Sequence, residues 1–106
     1  MTVLVFIETP KFSQLVEEYL TDDEYSALQQ ALMDEPEAGD VVKGSGGVRK
    51  LRWAAPGRGK SAGYRVIYFL KNEAGVVWML TMYAKNEKST IPGYKLAQIR
   101  KVLEDD

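Results

Sequence analysis

The chain has 106 residues, 45% of them apolar and 27% charged, which fits one globular domain spanning 1–106 with its own core. It contains neither cysteine nor histidine, so disulfides, thiolate chemistry, histidine acid–base catalysis and a nitrogen- or sulfur-ligated metal are excluded, and neither metal nor cofactor is expected. No apolar run approaches the roughly 20 residues that cross a bilayer, and Thr2–Ile7 is too short for a secretory leader, so a cytoplasmic protein with no membrane partner is expected.

The net charge of −1 averages two opposed regions. Glu8, Glu17, Glu18, Asp22, Asp23, Glu24, Asp34, Glu35, Glu37 and Asp40 face only Lys11 in the first forty residues. Between Val41 and Asn72 lie Lys43, Arg49, Lys50, Arg52, Arg58, Lys60, Arg65 and Lys71, with no acidic residue. Such asymmetry points to a polyanion-facing surface, while the overall acidity argues against strong non-specific duplex binding.

In chain order, Thr2–Ile7 is β-branched and aromatic and predicts a buried strand. Thr9-Pro10 predicts a helix start, and Phe12, Leu15, Val16, Tyr19 and Leu20 follow at helical spacing. Thr21-Asp-Asp-Glu24 has the form of a capping box, opening a second helix through Tyr25, Leu28 and Leu32 that Pro36 ends. Glu37–Gly47 predicts a loop. Val48–Trp53 alternates, with Leu51 and Trp53 on one face and Lys50 and Arg52 on the other. Tyr64–Leu70 and Val76–Tyr83 are apolar on both faces and predict central strands of a meander. A last helix follows Gly93, with Leu96, Ile99 and Leu103 as its apolar stripe. The order β-α-α-β-β-β-α predicts an α+β domain: a mainly antiparallel sheet, an N-terminal helical hairpin and a C-terminal helix.

The stretch Gly44–Arg65 carries six of the basic residues on glycine-rich backbone. Glycine lets backbone approach a phosphate, and guanidinium and ammonium groups neutralise it. The alternative is a long hairpin loop with a solvated basic face. Adjacent strands bring Lys50 and Arg52 near Arg65; Arg58 and Lys60 come from the connection, and Tyr83, Lys85, Asn86, Glu87 and Lys88 from the exit of the last strand. Arginine, lysine, tyrosine and one glutamate suit phosphate and ribose better than acyl chemistry. Attack by a ribose 2′-hydroxyl needs a base, stabilised phosphorane oxygens and an acid for the leaving group. Against this, Arg65 has a structural reading, an ion pair with an acidic residue of the first helices. Trp53 and Trp78 read as core, and Tyr64 and Tyr83 lie at strand ends beside the charges, as rings for a base to stack on.

Three segments carry a family resemblance: G-x-G-G-x-R-K-x-R (Gly44–Arg52), G-R-G-K-S-A-G-Y-R-V-I-Y (Gly57–Tyr68) and Y-A-K-N-E-K-S (Tyr83–Ser89). Together they make the chain similar to the RelE superfamily of toxins from toxin–antitoxin modules, and closest to its HigB-like branch. The resemblance covers essentially the whole chain. It implies a RelE-like, microbial-ribonuclease-type fold and metal-independent, ribosome-dependent cleavage of mRNA in the A site, which blocks translation. It also implies a cognate antitoxin, of helix-turn-helix type in HigA-like systems, with operator DNA met only through that complex. Lys50 and Arg52 match the catalytic face, Arg65 the arginine that contacts the scissile phosphate, and Lys85, Asn86 and Lys88 the basic segment after the last strand. Glu87 joins the catalytic set, with Arg49, Arg58, Lys60, Tyr83, Lys88 and Tyr94 as RNA-binding candidates. Asn86 stands where the best-known relatives carry an arginine. A gyrase inhibitor of ParE type shares this superfamily fold without nuclease residues and is the alternative, alongside an inactive module that binds antitoxin and DNA.

Overall fold

Two threonines divide the N-terminal third into its elements. The Thr9 hydroxyl accepts from the Phe12 amide (3.1 Å) and donates to the Leu80 carbonyl (2.7 Å), so it caps helix α1 (Pro10–Tyr19) and ties it to the sheet. At Thr21 the expected capping box forms: its hydroxyl accepts from the Glu24 amide, and the Glu24 carboxylate accepts from the Thr21 amide. Helix α2 (Asp22–Asp34) starts there, with Asp22, Asp23 and Glu24 on the positive end of its dipole. The computed structural model describes residues 4–54, 63–85 and 91–104.

Strands β1 (Val5–Glu8), β2 (Asp40–Val41), β3 (Arg49–Trp53), β4 (Tyr64–Lys71) and β5 (Val76–Ala84) form one sheet in the order β1-β5-β4-β3-β2. Only β1 is parallel to its neighbour, β5; the other pairings are antiparallel. The element order is the one the sequence predicts, with two changes. β1 is an edge strand, so Val5 is 54% exposed rather than buried. Two residues of the expected 37–47 loop pair with β3 as β2.

Strand alternation sorts the side chains onto two faces. On one, Leu51, Val66, Tyr68, Val77, Met79 and Met82 pack with Phe12, Val16, Leu20, Leu28 and Leu32 of the helical hairpin. On the other, Val48, Ile67, Phe69, Leu80 and Tyr83 pack with Leu96 of helix α3 (Gly93–Glu104). The register passes from Ile67↔Thr81 to Tyr68↔Met79, leaving Leu80 as an extra residue in β5. This bulge keeps both faces apolar on either side of it.

The glycines after Lys43 have a structural task. Gly44, Gly46 and Gly47 have positive φ (78°, 76° and 108°), curling the segment between β2 and β3 around Ser45. The fully buried Ser45 hydroxyl donates to the Val42 carbonyl (2.6 Å) and accepts from the Val48 amide (3.0 Å). Helix α3 is seated on this turn: a β-carbon on Gly93 would run into the Lys43 carbonyl oxygen, and one on Gly46 would lie 2.6 Å from Arg100 Nε. The Arg100 guanidinium also lies over the Phe69 ring, 5.8 Å from its centroid.

Candidate functional site

Helix α3 covers the Val48 and Phe69 end of its face. Arg65 lies four residues back along β4, about 13 Å at 3.3 Å per residue. Here the pairing register puts Arg52 of β3 directly opposite Arg65, and Arg65 opposite Tyr83 of β5. One step inward, Lys50 lies opposite Ile67. The Lys85 amide donates to the Gly63 carbonyl (3.1 Å), which draws the exit of β5 against the entrance of β4. A cleft of about 260 Å³ opens at this end of the sheet, lined by Arg52, Trp53, Ala54, Gly63, Arg65 and Lys85.

Among the described residues, the lining carries three cations and no carboxylate. Cross-strand neighbours of like charge destabilise a sheet pair, so Arg52 and Arg65 hold an arrangement that an anion would relieve. The Arg65 guanidinium makes a long contact, 3.5 Å, with the carbonyl of Tyr64. The alternative reading of Arg65 as an ion-pair partner of the first helices fails on geometry: α1 and α2 pack on the opposite face from the one Arg65 occupies. Among the described residues, no group of His, Cys, Asp and Glu could hold a metal ion.

The other candidates divide. Arg49 shares the face of Leu51 and Trp53. Its Nη1 donates to the Gly39 carbonyl (2.7 Å) and the Glu37 carbonyl (3.3 Å), with the Glu37 carboxylate 4.0 Å from Nη2. It binds the loop before β2 rather than joining Arg52 and Arg65. Tyr83 belongs to the row of Arg65 but is 7% exposed, buried in the α3-side core. Tyr64 is occupied too, its ring 5.1 Å from that of Tyr19. Tyr94 is 62% exposed on the first turn of α3 and does not line the cleft. Arg58 and Lys60, and Asn86, Glu87 and Lys88, lie outside the described residues. Their flanking residues Ala54, Gly63 and Lys85 line the cleft. Sequence reasoning assigned Trp53 to the core and missed its place in the lining; its position beside Arg52, at the point where β3 ends, was the available signal.

A second depression, about 460 Å³, lies at the elbow of the helical hairpin and is lined by Glu8, Glu17 and Asp22 with Tyr25 and Ser13. Ser13 donates to one Glu8 oxygen (2.6 Å) and Tyr25 to the other (2.7 Å), so Glu8 ties β1 to both helices. Burial, and then the bond to Glu8, pushes the Tyr25 hydroxyl well above the usual tyrosine range. Its described lining is acidic and carries no lysine or arginine. No described helix is long and apolar enough to cross a membrane.

The fold agrees with comparisons to known proteins. A structure of the E. coli toxin RelE, a double arginine-to-alanine variant in the free state, superposes with a TM-score of 0.61 at 21% identity, over 94% of this chain and 98% of that one. The family model described as the RelE toxin of the RelE/RelB toxin–antitoxin system matches residues 7–105. The chain therefore belongs to the RelE toxin family.

Proposed function

We propose that this toxin is a metal-independent endoribonuclease that cleaves mRNA in the ribosomal A site, and that the cleft between β3, β4 and the exit of β5 is its active site. The observation that carries this reading is the direct pairing of Arg52 with Arg65, beside Lys85, in a cleft whose described lining has no carboxylate. The reaction forms a bond from the 2′-oxygen to phosphorus as the bond from phosphorus to the 5′-oxygen breaks. The 2′-proton passes to a base, and an acid supplies a proton to the 5′-oxygen. Arg65, with Arg52 opposite it, neutralises the charge that grows on the non-bridging oxygens. Lys50 and Lys85 flank that position, and the proton-transfer roles fall among them and Glu87. Free phosphate chemistry of this kind needs RNA held in line; the ribosome supplies that positioning.

The same reading gives the toxin a cognate antitoxin, of the HigA-like helix-turn-helix type, which neutralises it and brings the pair to operator DNA. A pulse-labelling experiment after induction tests the function: amino-acid incorporation should stop before thymidine incorporation does. Replication stopping first would replace the ribonuclease with a gyrase inhibitor.

A further inference from the structure

Asp40 opens the two-residue strand β2 and lies directly opposite Lys50 of β3. Residues directly opposite share a sheet face, so its carboxylate joins the face of Lys50, Arg52 and Arg65, although it does not line the cleft itself. Val41, the other residue of β2, pairs with Arg49, and both β2 residues are exposed. Burial therefore does little to hold this strand. It is anchored all the same. The Tyr68 hydroxyl accepts from the Gly39 amide and donates to the Pro36 carbonyl, and Arg49 donates to the Gly39 carbonyl. Gly39 is pressed so close that a β-carbon on it would lie 2.9 Å from the Tyr68 ring and 3.1 Å from the Lys50 carbonyl carbon. These contacts fix residue 39 against the backbone of Lys50, and with it the place from which the Asp40 side chain starts.

We infer that Asp40 is a positioning residue, whose carboxylate keeps the Lys50 ammonium beside the phosphate held by Arg52 and Arg65. This rests on the reading of the cleft as the ribonuclease site. On its own strand face Lys50 has Arg52 two residues further on, and Arg65 lies diagonally across on β4. Like charges repel, and the flexible four-carbon stem of lysine would let the ammonium turn away into solvent. Asp40 supplies the opposing attraction. Register and not an ion-pair contact sets the two opposite, so Asp40 acts through its charge across one strand spacing, roughly 5 Å. The strand order β4-β3-β2 also puts Lys50 between Arg65 and Asp40. RNA bound by the arginines therefore meets the ammonium before the carboxylate.

The test is single-turnover cleavage of a reporter mRNA on translating ribosomes, with the saturating rate and the half-saturating concentration measured separately for the full-length chain. Asp40→Asn should lower the saturating rate about tenfold, the scale of a displaced catalytic group. Half-saturation should stay level or fall, because a negative charge near RNA has been removed. Asp40→Glu should recover most of the rate, and Asp40→Asn should melt like the parent, as an exposed substitution does. Lys50→Met should lose at least as much rate as Asp40→Asn, and the double variant no more than Lys50→Met. Cleavage by Asp40→Asn at or above the parent rate, the result for a carboxylate that only repels RNA, overturns the inference. So does a further loss in the double variant, or a lowered melting temperature that accounts for the lost rate; each leaves the ribonuclease site standing. A folded parent chain that does not cleave overturns both.

Discussion

Arg52 and Arg65 are cross-strand partners, like charges placed opposite each other near the end of β3 and the start of β4. Such pairs destabilise by roughly 0.2–1 kcal/mol. Arg52 is exposed, so its charge can be removed without opening the core. Arg52→Gln should therefore raise the melting temperature by a few degrees at low salt, with the gain shrinking at high salt as screening weakens the repulsion. Thermal melts at two ionic strengths check this. A lower melting temperature in Arg52→Gln would mean that the pair is held by contacts other than those described here.

Tyr68 is fully buried, and its hydroxyl accepts from the Gly39 amide (2.9 Å) and donates to the Pro36 carbonyl (2.8 Å). Tyr68→Phe leaves both backbone groups unsatisfied and should cost roughly 1–3 kcal/mol in denaturant unfolding. Burial also pushes this hydroxyl above its ordinary value of 10.0, and burial together with Glu8 does the same at Tyr25. The folded protein then keeps protons that the unfolded chain releases. Stability should be level in pH below 10 and fall as the pH rises above it, and Tyr25→Phe and Tyr68→Phe should each flatten that fall. Unfolding curves across the alkaline range measure the slope directly.

Gly93 allows the first turn of α3 to touch the backbone of Lys43 and Gly44. Alanine is the better helix former by up to about 1 kcal/mol. Its β-carbon nevertheless meets backbone, which yields little, and overpacking of this kind costs roughly 1–3 kcal/mol or more. The clash should win. Gly93→Ala is expected to lower the melting temperature and to raise amide exchange in α3 while leaving that of α1 and α2 near the parent. Protection retained in α3 would show that the helix shifts on the turn without loosening.

Much of this fold was legible in the sequence because its signals are local. Thr9-Pro10 and Thr21 to Glu24 mark the two helix starts, and β4 and β5 announce themselves by being apolar on both faces. What was not legible depends on distant partners. Asp40–Val41 has no alternation and becomes a strand only through β3. The exposure of Val5 follows from β1 pairing at the sheet edge beside β5, 71 residues away in register. The glycines Gly44, Gly46 and Gly47 resembled a phosphate cradle but curl the turn that receives α3. At the candidate site, alternation already separated Lys50 and Arg52 from Leu51 and Trp53, and the same parity assigns Arg49 to the hairpin side. It carried no information on the bond from Arg49 to Gly39, or on the orphaned indole N–H of Trp53.

The most direct measurement is primer extension on a reporter mRNA in a purified translation system, with and without ribosomes, comparing the parent chain with Arg65→Ala. Cuts in phase with codons are expected only when ribosomes are present, reduced at least about a hundredfold in folded Arg65→Ala, as on removing a charge that stabilises the transition state. Full-strength cleavage by Arg65→Ala, or no cleavage by folded parent protein on translating ribosomes, would contradict this reading of the cleft.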